Sequence, residues 1–298
     1  MLKVENVTKK YGNITAVKNL SFEVGDGCIF GLLGLNGAGK TTTFRMILGL
    51  LDDYTGNITI DGEHINYKIT DKIGFLTEER SLLTKLTVLN QIKYYGALKS
   101  IPENEIESRL DYWLKRFGIM EYKNRKIKEL SKGNQQKIQF ISAVINEPKL
   151  LILDEPFSGL DPLNVELFKE AILDLQKKGT SIIFSTHRME HVELFCEELV
   201  ILVKGKSVLS GRLKDIKENY KKKNIIVKGD IDTDKVKSVE GDEKITKTSD
   251  EYIISISESK YINSVWKVIN KYQNITKFVV EEPSLNEIFI SIVGEEYE

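Results

Sequence analysis

Eight residues, Gly34-Leu35-Asn36-Gly37-Ala38-Gly39-Lys40-Thr41, fit the pattern G-x-x-x-x-G-K-[ST] without a mismatch. Three glycines let a backbone come close to a pyrophosphate and aim several N–H groups at it. Lys40 is placed to reach the β- and γ-phosphates, and the Thr41 hydroxyl, with Thr42 beside it, to ligate Mg²⁺. A second chemical cluster is Asp154-Glu155, two carboxylates that close an apolar run, Leu150-Leu151-Ile152-Leu153. An Asp in that position of a phosphate-loop protein holds Mg²⁺ directly or through water. Glu78 and His187 also follow short apolar runs. Together these residues imply nucleoside triphosphate binding.

Particular elements must position them. Cys28–Leu33 reads as a buried strand and 42–48 as a helix continuing to Leu50, with its positive end towards the phosphates. Val4–Val7 and Leu20–Val24 read as short strands, with Lys9-Lys10-Tyr11-Gly12 between them. Tyr11 is either a packed ring or a ring that stacks on a base. Ile73–Leu76 leads into Glu78. Ile106, Leu110, Trp113, Leu114 and Phe117 share one helix face, which makes Trp113 core. Ser131 reads as a helix N-cap, followed by Ile138, Ile141 and Ile145 on one face. Pro162 opens a helix that buries Val165, Phe168, Ile172 and Leu175. Ser181–Ser185 is a strand ending at Thr186-His187, whereas His64 and His191 read as solvated. The alternation predicts an α/β core with a mostly parallel sheet, in which ligands bind at the carboxyl ends of the strands. Gly34, Glu78, Asp154, Glu155 and His187 all follow such ends.

The chain has 298 residues, enough for two domains. Its 41% hydrophobic and 29% charged content is that of a globular protein. A net charge of -1 gives no overall attraction to nucleic acid or anionic membrane. Cys28 and Cys196 read as small thiols in a reducing cytosol. No apolar run approaches the ~18–20 residues that cross a bilayer, and the first residues do not read as a signal peptide. Service to a membrane is therefore expected through a partner.

The chain resembles the ATPase subunit of an ABC transporter over residues 1–212. Gly34–Thr41 is similar to Walker A, Leu130–Gln136 to the signature, Leu150–Glu155 to Walker B, Ser158–Asp161 to the D-loop and Ser185–His187 to the H-loop. The resemblance implies a RecA-like core with an antiparallel β subdomain and a helical subdomain. It implies that Tyr11 stacks on adenine, and that Lys40 and Walker A hold the phosphates of ATP. Thr41 and Asp154 would hold Mg²⁺, Glu155 would act as general base and His187 would contact the γ-phosphate. Ser131 and Gly133 would complete the site of a second ATPase subunit, identical or a paralogue, in a head-to-tail dimer. A transmembrane permease is the implied partner, which places the chain on the cytoplasmic face of the membrane. No nucleic acid partner is expected; a soluble ATPase acting on ribosomes or nucleic acid is the competing class, and a binding switch without turnover a third.

Three departures from the family pattern stand out. The signature has Lys132 and Asn134 where Gly and Gln are usual, and Leu35 replaces a frequent Pro. Glu78 takes the place of a Gln that senses Mg²⁺ and the permease, and a carboxylate is a hard ligand for that metal. The Lys132-Gly133-Asn134 signature and Glu78, with the tail, resemble the ATPases of type-2 ABC exporters.

Residues 213–298 read as a second domain. Lys214–Lys223 is a polar linker or helix. Ile225–Val227, 234–239, Lys244–Thr248 with Tyr252–Ile256, 262–269 and Phe278–Val280 give strand, helix, hairpin, helix and strand. This is the order of a ferredoxin-like α+β domain. A last helix holds Leu285, Ile288, Phe289 and Ile292. The segment resembles the small C-terminal domain of type-2 exporter ATPases, with an expected role in dimerisation or regulation.

Overall fold

The computed structural model describes residues 1–66, 69–79, 81–237, 239 and 241–297. The chain divides into two units, Met1–Ser210 and Gly211–Glu298.

The first unit opens with β1 (Leu2–Tyr11) and β2 (Ile14–Val24), then β3 (Ile29–Gly34), α1 (Lys40–Ile47), β4 (Thr55–Ile60), β5 (Glu63–His64) and β6 (Ile73–Leu76). Helices α2 (Val88–Leu98), α3 (Glu103–Arg116) and α4 (Lys132–Val144) follow. Next come β7 (Leu150–Asp154), α5 (Pro162–Lys177), β8 (Ser181–Ser185), α6 (Met189–Phe195), β9 (Glu198–Val203) and β10 (Lys206–Arg212), whose last two residues already belong to the second unit. One sheet has the order β2-β1-β4-β5, with antiparallel pairs throughout. The other has the order β10-β9-β3-β8-β7-β6, and β3, β6, β7, β8 and β9 pair in parallel. The middle strands β3, β7 and β8 are buried on both faces, which explains their unbroken apolar runs. Leu2, Val4, Leu20 and Ile58 of the antiparallel sheet share one core with Phe30, Leu32, Phe44 and Ile152. Phe22 stacks on Phe30 with ring centres 5.0 Å apart.

Two boundaries differ from expectation. β1 and β2 are longer than the sequence suggests, and Tyr11 is the last residue of β1 rather than part of a loop. Register shifts between Val4 and Val7 and between Val7 and Lys9 break the period-two signal. Helix α1 stops at Ile47 because Gly49 takes a left-handed conformation. Its N–H donates to Met46 O (3.0 Å) while Leu50 N–H donates to Arg45 O (2.8 Å), a Schellman ending. The apolar faces expected of α3 and α5 are buried, Trp113 included.

The second unit begins with α7 (Leu213–Asn219), β11 (Lys223–Lys228), α8 (Thr233–Lys237), β12 (Asp242–Lys247), β13 (Tyr252–Ile256), α9 (Ile262–Ile269), β14 (Lys277–Glu281) and α10 (Leu285–Tyr297). Of the helix expected over 234–239, Ser238 lies outside the described residues. The sheet order β12-β13-β11-β14, antiparallel throughout, is that of a ferredoxin-like domain. Ile225, Val227, Val236, Ile254, Ile256, Val265 and Ile269 form its core.

Candidate nucleotide site

The carboxyl ends of β3, β6, β7 and β8 deliver the site. Residues Asn36–Thr42 with Glu78, Asp154 and Glu155 line one cavity of about 320 Å³. Ala16, which carries no sequence signal for this role, lines it too. Backbone shape here requires glycine. Gly39 caps α1 with φ 107°, and a Cβ there would meet the Ala16 carbonyl at 2.6 Å. A Cβ on Gly34 would meet the Leu202 carbonyl at 2.5 Å. The first N–H groups of α1 thus open into the cavity, as an anion requires.

Lys40 points its ammonium back along the loop. Nζ donates to Gly34 O at 2.7 Å and to Leu35 O at 3.3 Å. Burial lowers its pKa from the ordinary lysine value, and the charges of Asp154, Glu155 and Glu78 oppose that shift. Asp154 stands opposite. Burial raises its carboxyl above the ordinary range, the Ser185 hydroxyl bond opposes this, and Glu78 and Glu155 add to the rise. Register fixes that bond: Asp154 pairs with Ser185 across β7 and β8, and Ser185 Oγ donates to Asp154 Oδ1.

Glu155 is buried and its backbone is left-handed, with φ 49°, a conformation that costs a non-glycine residue about 1–2 kcal/mol. Its N–H donates to Ser185 O at 3.0 Å. Its carboxylate accepts from His187 N–H (2.8 Å) and the Thr186 hydroxyl (3.1 Å), and Oε1 lies 2.8 Å from His187 Nδ1. A carboxylate has about four lone-pair positions; these contacts occupy two on Oε1 and one on Oε2. Among the described residues, nothing but Thr186 donates to Oε2. His187 itself is 68% exposed in its side chain.

Other expected site residues stand apart from this cavity. Tyr11 is 43% exposed, and the Lys9 ammonium lies 4.6 Å from its ring centre. Lys9 is itself buried, with Nζ bonded to the Asp53 carboxylate. Ser131 caps α4, its hydroxyl accepting from Asn134 N–H at 3.3 Å. Gly133 lies beside Asn164 and Leu160, and Asn164 donates its amide to Asp161, the N-cap of α5. Signature and D-loop are therefore packed together within one chain.

His191 corrects the sequence reading. It is 5% exposed rather than solvated, and its ring meets Phe157 edge-on at 4.7 Å. Burial lowers its pKa. Its signal in the sequence was its place on the apolar face of α6 with Val192 and Phe195. His64 is exposed as expected. Burial pushes the Cys28 thiol up to about 11 and the Cys196 thiol higher, as inert thiols require.

The ABC transporter family matches residues 17–158, and the family described as ATP-binding protein DrrA1-3-like, C-terminal domain, matches residues 211–293. Over all 298 residues, and the whole of the relative, the chain is 50% identical to the uncharacterized ABC transporter ATP-binding protein YhaQ of Bacillus subtilis. It is 32% identical to the linearmycin resistance ATP-binding protein LnrL of the same organism, covering 99% of this chain and 98% of that one. A solved ATP-binding subunit of an ABC transporter matches with a TM-score of 0.70 at 31% identity, covering 74% of this chain and 93% of that chain. The chain belongs to the ABC transporter ATP-binding proteins, ATPases coupled to transport.

Proposed function

We propose that this chain is the motor subunit of a type-2 exporter, working through a separate permease at the cytoplasmic face of a membrane. The DrrA-like C-terminal match supports the subclass. The observation that carries the catalytic reading is one cavity shared by Lys40, Thr41, Asp154 and Glu155. In this reading Lys40 leaves the Gly34 and Leu35 carbonyls for the β- and γ-phosphates. Glu155 uses its remaining Oε2 position to orient and deprotonate the attacking water, and His187 meets the γ-phosphate. Tyr11 offers its ring to the base.

The residues present fit Mg²⁺. Among the described residues no three acidic, His or Cys side chains form a metal cage. Mg²⁺ favours one or two carboxylates with phosphates and waters completing its shell. Asp154, Thr41 and Glu78 supply hard oxygens of that kind. The ion would supply charge neutralisation on the phosphates. Ser131 and Gly133 face the nucleotide of a second ATPase subunit, so turnover needs a head-to-tail pair.

An apolar cavity of about 510 Å³, lined by Leu50, Tyr54, Phe75, Leu82 and Tyr95, adjoins the Glu78 loop and is the surface we assign to the permease. Purification of the chain in mild detergent should bring a membrane protein with it. Recovery of ribosomal proteins or nucleic acid instead would overturn the exporter reading. Residues 213–298 we assign to dimerisation or regulation, so their deletion should alter dimer formation or ATPase rate.

The decisive test of the site is Glu155→Gln. ATP binding should persist, turnover should fall by about 10²–10⁴-fold, the scale on which a lost general base slows reaction, and an ATP-bound dimer should accumulate. Unchanged turnover would remove Glu155 from the mechanism.

A further inference from the structure

Helix α4 carries, two turns beyond Ser131, a residue that reaches the loop carrying Glu78. Gln139 is 3% exposed. Its Nε2 donates towards Thr77 O (2.9 Å), Thr77 Oγ1 (3.0 Å) and Glu79 O (3.1 Å). These acceptors lie on either side of Glu78, whose side chain is on the wall of the nucleotide cavity. The two backbone carbonyls at one end of the amide fix that end as nitrogen, because the reverse orientation would set a carbonyl oxygen against both.

The same loop is tied down further along. Gln91 Oε1 accepts from Leu83 N–H at 2.8 Å, and its Nε2 donates to Ser142 Oγ on α4 at 3.2 Å. The Tyr95 hydroxyl donates to Ser81 O at 3.1 Å. The loop after β6 is therefore held by α2 and α4 at three points, and only the Gln139 point brackets Glu78. Eight residues of helix separate Gln139 from Ser131, about 12 Å along a rigid rod.

We infer that Gln139 is a positioning residue for the nucleotide–metal site. Its amide fixes the loop that presents Glu78, and its helix ties that carboxylate to the turn that Ser131 begins. One side chain thereby links the placement of Glu78 over this chain's nucleotide to the signature turn that faces the second subunit. The inference rests on the reading that Glu78 faces the metal. Leucine at 139 would fill the same space but take the amide donor from both carbonyls, leaving Glu79 O with the Thr77 hydroxyl alone, and the loop would relax towards water.

The test uses the full chain carrying Glu155→Gln, with ATP bound and Mn²⁺ as the probe, titrated by electron paramagnetic resonance. Gln139→Leu should weaken Mn²⁺ binding about tenfold, the lower end of what a lost supporting contact costs a metal site. ATP affinity without metal should stay within about twofold, since Gln139 touches no phosphate-loop residue. In a Glu78→Gln background the same substitution should add nothing, because the carboxylate it positions is gone. An equal loss in both backgrounds, an unchanged Mn²⁺ affinity, or an equal loss of metal-free ATP binding would overturn the inference. If Glu78→Gln alone leaves Mn²⁺ affinity unchanged, the metal reading of Glu78 fails instead. Faster hydrogen exchange of the peptide spanning 77–83 in Gln139→Leu would then still support the clamp, and unaltered exchange would remove it. Should Gln139→Leu not fold, Thr77→Val removes one acceptor and should give a smaller loss in the same direction; no loss would count against the proposal.

Discussion

The ends of β7 and β8 and the sheet of the C-terminal unit are both built from apolar strands, yet they treat charge in opposite ways. Among the described residues every buried polar or charged side chain lies in the first unit. Asp154 and Glu155 are buried with a lysine nearby, and Glu155 holds an unfavourable backbone conformation as well. The C-terminal core is aliphatic, and its ion pairs, such as Lys228–Asp250 and Lys277–Glu251, are at the surface. Under the proposed function the first arrangement is unfavourable until nucleotide and metal bring the charges that the buried groups lack. The second is favourable by itself. Function has been placed where stability is spent, and the other unit is spared that expense.

Ile254→Ala should cost about 3 kcal/mol, as large-to-small changes at fully buried sites do. ATP affinity should be unchanged within error. Urea unfolding followed at Trp266, with Trp113→Phe removing the only other tryptophan, would read the C-terminal unit separately. A parallel loss of ATP affinity would show that the two regions are not independent.

Asp154→Asn should move stability the other way. The folded-state pKa of Asp154 is raised by burial, so the folded chain holds that proton more tightly than the unfolded chain, whose value is near the ordinary 3.8. The cost of ionising it is absent at low pH and complete once pH has risen through the folded pKa. Asparagine has no such cost and keeps the Ser185 bond. At pH 7 the nucleotide-free variant should melt about 2–4 °C higher, and the gain should shrink as pH falls towards 4. Scanning calorimetry at both pH values would check this; a lower melting temperature at pH 7 would contradict the picture of stored electrostatic cost. The smallest effect is expected from Lys228→Ala, which removes an exposed pair with 46% and 71% side-chain exposure and should change stability by no more than about 0.5 kcal/mol.

The strand, loop and helix around Lys40 were legible because the chemistry demands glycine, lysine and threonine at fixed spacing, and because buried parallel strands announce themselves as unbroken apolar runs. The ferredoxin-like order of the tail was legible for a related reason: each element kept its own period. Three kinds of feature were not. Bulges in β1 and β2 interrupt alternation, so Tyr11 read as loop. Lys9 and His191 are polar types that went inside, and burial of a polar side chain depends on partners remote in sequence, Asp53 for one and Phe157 for the other. Gln139 and Gln91 carry no motif, and their worth lies in which backbone groups they meet.

Lys9 and Tyr11 have one more consequence. With an ammonium set over its ring, Tyr11 has one face left for a purine. Under the proposed role that face reads only a flat π-surface, which adenine and guanine share. Choice of nucleobase at this end is then left to the relative abundance of nucleotides in the cell, while selectivity is concentrated at the phosphate end.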